Sequence, residues 1–94
     1  MTLDEFRATL KLSDPPAELS PPLQALWRDA RGDWNSAHAI AQDIHDETGS
    51  WIHAYLHRKE GDLANAGYWY RRANKSPARD SLDDEWARIV SALL

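Results

Sequence analysis

Residues Ala25–Ile44, ALWRDARGDWNSAHAIAQDI, and Ala54–Ala73, AYLHRKEGDLANAGYWYRRA, carry one pattern twice, offset by 29 residues. Ala25/Ala54, Gly32/Gly61, Asp33/Asp62 and Ala37/Ala66 are identical pairs. Leu23/Ile52, Leu26/Tyr55, Trp27/Leu56 and Trp34/Leu63 keep their apolar character. Each copy reads as helix, Gly-Asp turn, helix. Units of this length cannot bury their apolar faces singly, so the duplication predicts two stacked helical hairpins.

Working outward, the first unit spans about 21–46. Ser20 followed by Pro21 and Pro22 is a helix start, with proline where the N–H would be unpaired anyway. Leu23, Leu26, Trp27 and Ala30 follow at i, i+3, i+4 and i+7. Gly32 supplies the left-handed residue that ends this helix, and Asp33 caps a second one running to about Asp46. Thr48-Gly49-Ser50 reads as a break. A second unit over about 51–74 then has Ile52, Tyr55 and Leu56 inward on one helix, and Leu63, Ala66, Tyr70 and Ala73 inward on the next. Before the units, the capping-box spacing of Thr2 and Glu5 predicts a helix over Leu3–Leu12, and Pro15-Pro16 makes 13–20 a linker. After them, Leu82, Trp86, Ile89, Val90 and Leu93 predict a helix over 82–93 that covers the open end of the second hairpin. The expected fold is all-α and a single domain, 1–94.

Composition narrows the function classes. The net charge of −4 argues against nucleic acid as a partner. Cysteine is absent, which removes disulfides, thiolate catalysis and cysteine-ligated zinc. No stretch approaches the ~20 apolar residues of a membrane span. The N-terminus lacks the basic start and apolar run of a signal peptide, so a cytoplasmic location is expected. Five Trp, three Tyr and one Phe in 94 residues give a modest core strong anchors.

The run EGDLANAGYWYRRANKSP resembles the second half of a tetratricopeptide repeat. Gly61-Asp62 stands at that family's interhelical turn, Ala66 and Ala73 at its small positions, Tyr70 at its aromatic position and Pro77 near its closing proline. The resemblance implies a scaffold for protein interaction. The 29-residue offset departs from the family's 34, and the family's packing positions in the first helix of the second unit fall on His53 and His57. The segment WIHAYLHRKEGDLANAGYWYRRA also resembles small uncharacterised bacterial proteins, a likeness that implies no activity.

Two constellations remain. His53 and His57 stand four apart, with Glu60 three further on, so all three share one helix face at a spacing able to hold a divalent transition metal. A metalloprotease helix would carry Glu where Ala54 stands. His38 and His45 sit seven apart on the preceding helix, and they either meet His53 and His57 or do not. Second, Tyr68-Trp69-Tyr70-Arg71-Arg72 is the densest aromatic–basic stretch. With Arg58, the residues Tyr68, Trp69, Arg71 and Arg72 are the expected contacts for a protein partner or a second copy. No serine has a nucleophile setting and no glycine-rich loop could cradle phosphate. The expected function is a non-enzymatic interaction module, self-association included. The alternative is a metal- or small-molecule-binding protein using His53, His57 and Glu60, with weak hydrolytic activity as a corollary.

Overall fold

In the computed structural model, which describes residues 1–94, the chain forms α1 (Leu3–Thr9), α2 (Pro21–Ala30), α3 (Trp34–Gln42), α4 (Glu47–Lys59), α5 (Leu63–Arg72) and α6 (Leu82–Leu93), with no strand. The two Gly-Asp pairs close one helix and open the next within two residues. Gly32 and Gly61 take φ of 82° and 89°, the left-handed conformation that glycine adopts without Cβ strain. The amides of Asp33 and Asp62 then reach back to the carbonyls of Arg28 and His57, at 2.9 and 3.0 Å. Their carboxylates meanwhile accept from the amides of Ser36 and Asn65, at 3.1 and 3.2 Å, which starts the next helix. Asn74, at φ 58°, ends α5 the same way.

Helix α2 packs on α3 and α4 on α5, while α4 also meets α2, α3 and α6. Helix α6 lies against α1, α2 and α4. The sequence reading expected it to cover the open end of the second hairpin; instead it covers the first helices of the two pairs. Phe6 of α1 meets Trp86 of α6 with ring centroids 5.8 Å apart. Two buried indoles find acceptors: Trp86 Nε1 donates to the Leu26 carbonyl at 3.0 Å and Trp27 Nε1 to Thr9 Oγ1 at 3.2 Å. Each thus adds its apolar area to the core without an unpaired N–H. No helix is long and apolar enough to cross a membrane.

Three boundaries differ from the sequence reading. Helix α1 ends at Thr9 rather than Leu12, and α3 ends at Gln42 rather than Asp46. Thr48-Gly49-Ser50 does not break the chain. Asp46 caps α4 by accepting from the Gly49 amide at 3.0 Å, so these residues form the helix's first turn. Gly49 is needed for closeness. A Cβ there would lie 2.0 Å from the Ile44 carbonyl oxygen, far inside nonbonded carbon–oxygen contact. Leu63, expected inward, is 68% exposed. Its repeat mate Trp34 is partly buried because α3 has α4 beside it, with Nε1 donating to the Leu56 carbonyl at 2.8 Å. No later helix pair covers α5 in that way.

Helix α4 is the centre. Every residue from Gly49 to His57 is buried, so its polar groups must find partners inside the protein. On the side facing α2 and α6 they hold two buried carboxylates. Asp29 of α2 accepts from Tyr55 Oη at 3.1 Å and Lys59 Nζ at 3.0 Å. Glu85 of α6 accepts from Arg58 Nη1 at 2.8 Å and Tyr70 Oη at 2.6 Å. Each carboxylate therefore has one cation and one phenol. Burial, then the adjacent carboxylate, raises the pKa of both tyrosines, which keeps them as donors.

Two mutational outcomes follow. Arg58→Ala strands the Glu85 carboxylate, whose side chain is 0% exposed, and should cost about 3–5 kcal/mol, the range for uncovering one partner of a buried pair. Gly61→Ala meets open space and should lose only the about 1–2 kcal/mol of left-handed strain. Gly49→Ala must displace backbone and should lose more. Urea denaturation of the three variants checks both, and equal losses at Gly49 and Gly61 would contradict the close approach.

Candidate functional site

The opposite side of α4 carries imidazoles instead of ion pairs. His53 and His57, one turn apart, lie with ring centroids 4.9 Å apart and planes 20° from parallel. His38 crosses from α3 and meets both edge-on, at 4.5 Å from His53 and 5.2 Å from His57. Two tryptophans bracket the group. Trp69 of α5 stacks on His53 at 3.9 Å and 11°, and Trp34 of α3 stacks on His38 at 4.9 Å and 14°. The i, i+4 spacing of Trp34/His38 and of His53/His57 aligns each pair along its own helix. Contact between α3 and α4 then joins them.

The ring nitrogens are specifically paired. His38 Nε2 and His53 Nε2 are 2.8 Å apart, so one donates to the other. His57 Nδ1 lies 2.6 Å from Glu60 Oε1. An ionised carboxylate only accepts, so Nδ1 carries the proton, and a neutral His57 then presents its lone pair at Nε2. The Asn65 amide nitrogen reaches that Nε2 at 3.4 Å. A nitrogen from each of His38, His53 and His57 lies within 4.8 Å of the others. Burial, reinforced by the neighbouring imidazoles, lowers the His53 pKa to about 4. Burial and then His57 also lower that of His38, against an upward pull from Glu60. Both rings are therefore neutral at neutral pH, the form that binds metal.

The sequence candidates divide. His53 and His57 come together as their spacing implies and His38 joins them, whereas Glu60, expected as a third ligand beside them, pairs with His57 and stands outside the group of three. His45 does not: α3 ends before it, and it sits exposed in the loop to α4 on the wall of the adjoining cleft. Trp69 is largely occupied by His53. Arg58, expected to face a partner, is instead drawn in by Glu85 and the Asp80 carbonyl. Tyr68, 45% exposed, and Arg71 remain at the surface. Arg72 lies over the Tyr68 and Trp69 rings, 5.7 and 5.4 Å from their centroids. Sequence reading missed the two tryptophan walls, although Trp34 stands one helical turn before His38.

A depressed histidine pKa is also a statement about stability. Above about pH 6.5 both folded and unfolded His53 are neutral and its contribution is flat. Between 6.5 and about 4 the unfolded chain takes up a proton that the native state refuses, so stability falls as pH falls. At 1.4 kcal/mol per pK unit the loss by pH 5.5 should reach about 1–1.5 kcal/mol. Urea unfolding of metal-free protein, with chelator, at pH 7.5, 6.5 and 5.5 should show this above the range in which ordinary carboxylates take up protons.

Comparison of the chain with protein-family models, with curated proteins and with solved structures gives no match.

Proposed function

We propose that the protein binds a divalent transition-metal ion through His38, His53 and His57, with Glu60 as the outer carboxylate that orients His57. The observation that carries this reading is the convergence of three imidazoles from two helices, with ring nitrogens within 4.8 Å of one another. The His57–Glu60 pair adds the carboxylate–histidine arrangement that fixes tautomer and ring direction at metal sites. An all-imidazole ligand set suits zinc, nickel, cobalt or copper, and not magnesium or calcium. Ligand bonds of about 2.0–2.1 Å at tetrahedral angles put nitrogens about 3.3 Å apart. The His38–His53 pair at 2.8 Å would open slightly, and the Asn65 amide would leave His57 Nε2.

The scaffold supports a tetratricopeptide-like reading in its two Gly-Asp turns and in Ala66 and Ala73, both buried on the inner side of α5. An interaction surface built on Tyr68, Arg71 and Arg72 is the second reading, favoured by the exposure of Tyr68 beside two arginines. It ranks second because Arg58 and Trp69 are engaged within the protein.

Metal analysis of the purified protein and melting with added zinc, nickel and cobalt test the first reading. At a hundredfold excess over Kd, mass action stabilises the folded state by about 2.7 kcal/mol, which raises Tm by about 10 °C or more in a domain of this size. Alanine at His38, His53 or His57 should each abolish the shift in variants that fold by circular dichroism. Glu60→Gln should weaken affinity about 10- to 100-fold. No shift with any of the metals would refute the site.

A further inference from the structure

The histidine group opens onto a cleft of about 780 Å³. A single water occupies about 30 Å³, so the space far exceeds what an ion and its water need. It falls instead in the range of small-molecule sites, about 300–1,000 Å³. Only three of its fourteen lining residues are hydrophobic, which suits a polar occupant.

The charges in the cleft give that occupant a sign. Three side chains of fixed charge line it: Asp46, Glu47 and Arg72. The Asp46 carboxylate is engaged as the cap of α4. Arg72 has no carboxylate within ion-pair distance, and its only hydrogen bond is to Tyr68 Oη at 3.3 Å. With Glu60 behind His57, the carboxylates around the cleft outnumber Arg72, so without an ion the cleft disfavours an anion. A bound dication offsets that charge and becomes the dominant local field. Three protein ligands also leave a tetrahedral ion one position to fill from outside.

We infer that the metal-loaded cleft binds a small carboxylate, with one oxygen completing the coordination of the ion held by His38, His53 and His57 and with Arg72, which lines the same cleft, supplying the second cation. This rests on the metal reading and adds an order to it: the metal-free cleft repels the anion, and the ion must enter first. Glu47 opposes the anion in both states. Charge-assisted hydrogen bonding from a guanidinium is strong and directional, and no carboxylate of the protein competes for the one on Arg72.

Visible absorption of the cobalt-loaded protein tests both layers, with acetate as the probe. Cobalt alone should give an intense low-symmetry d–d spectrum. Acetate should shift it saturably, and equilibrium dialysis of labelled acetate against metal-free protein should show no binding. Arg72→Gln should raise the acetate Kd about tenfold or more, the size expected for losing a hydrogen bond to a charged group, without weakening cobalt binding. Glu47→Gln should lower the acetate Kd. Absence of any cobalt spectrum overturns the metal reading and this inference with it. A cobalt spectrum indifferent to acetate leaves the metal site standing and overturns the inference alone. Equal acetate affinity in wild type and Arg72→Gln overturns the part given to Arg72.

Discussion

Helix α4 is surrounded by α2, α3, α5 and α6, yet it carries two histidines, a tyrosine, an arginine and a lysine among its thirteen residues. A helix in that position is ordinarily apolar all round. Polar groups withdrawn from water cost free energy unless partners replace the lost hydration. Much of the architecture can be read as the set of elements that supply those partners. Helix α2 brings Asp29 and α6 brings Glu85 to one side, and α3 brings His38 and α5 brings Trp69 to the other. No buried side-chain nitrogen or oxygen is left without a partner.

The two sides solve this problem with different chemistry. Toward α2 and α6, full charges are matched: each buried carboxylate takes one cation and one phenol. Exchanging either partner would strand a charge, so this side fixes the register of α2, α4 and α6. Toward α3 and α5, His38 and His53 stay neutral, and one carboxylate, that of Glu60, meets His57. Imidazoles pair with one another and stack on indoles, interactions worth about 0.5–1.5 kcal/mol each. One side of the helix is therefore held stiffly. The other is held by contacts that a modest ring rotation rearranges.

What the sequence discloses follows from how local the physics is. The Gly-Asp turns were legible because C-cap, closing amide and N-cap all lie within a few residues, and the caps at Thr2 and Ser81 are local in the same way. His53, His57 and Glu60 were legible as a group because helical spacing alone places them. His38 was not, since its approach depends on how α3 crosses α4, and no short-range pattern encodes that distance. Gly49 misled for the same reason. Glycine in a Thr-Gly-Ser run looks like a break, but here it removes a Cβ that the Ile44 carbonyl would strike. Leu63 shows the complementary failure. The repeat gives it the role of Trp34, but the surroundings that bury Trp34 are missing at the end of the array.

A buried histidine cluster has a purely structural explanation, in which aromatic stacking fills the space between helix pairs. The stacking of Trp69 on His53 and of Trp34 on His38 fits that account. Three features do not follow from it. Packing alone would be served by apolar residues without the burden of neutral imidazoles that must refuse protons. It gives no reason for Glu60 to fix the tautomer of His57 with its lone pair at Nε2, where only a distant amide reaches it. Nor does it explain why the cluster borders an open polar cleft rather than a sealed core. A ligand set needs all three: neutral nitrogens, a set direction for the lone pair, and a path in from solvent. On that ground the proposed ligand role accounts for the polarity of α4 on one side, and the ion pairs fasten the other.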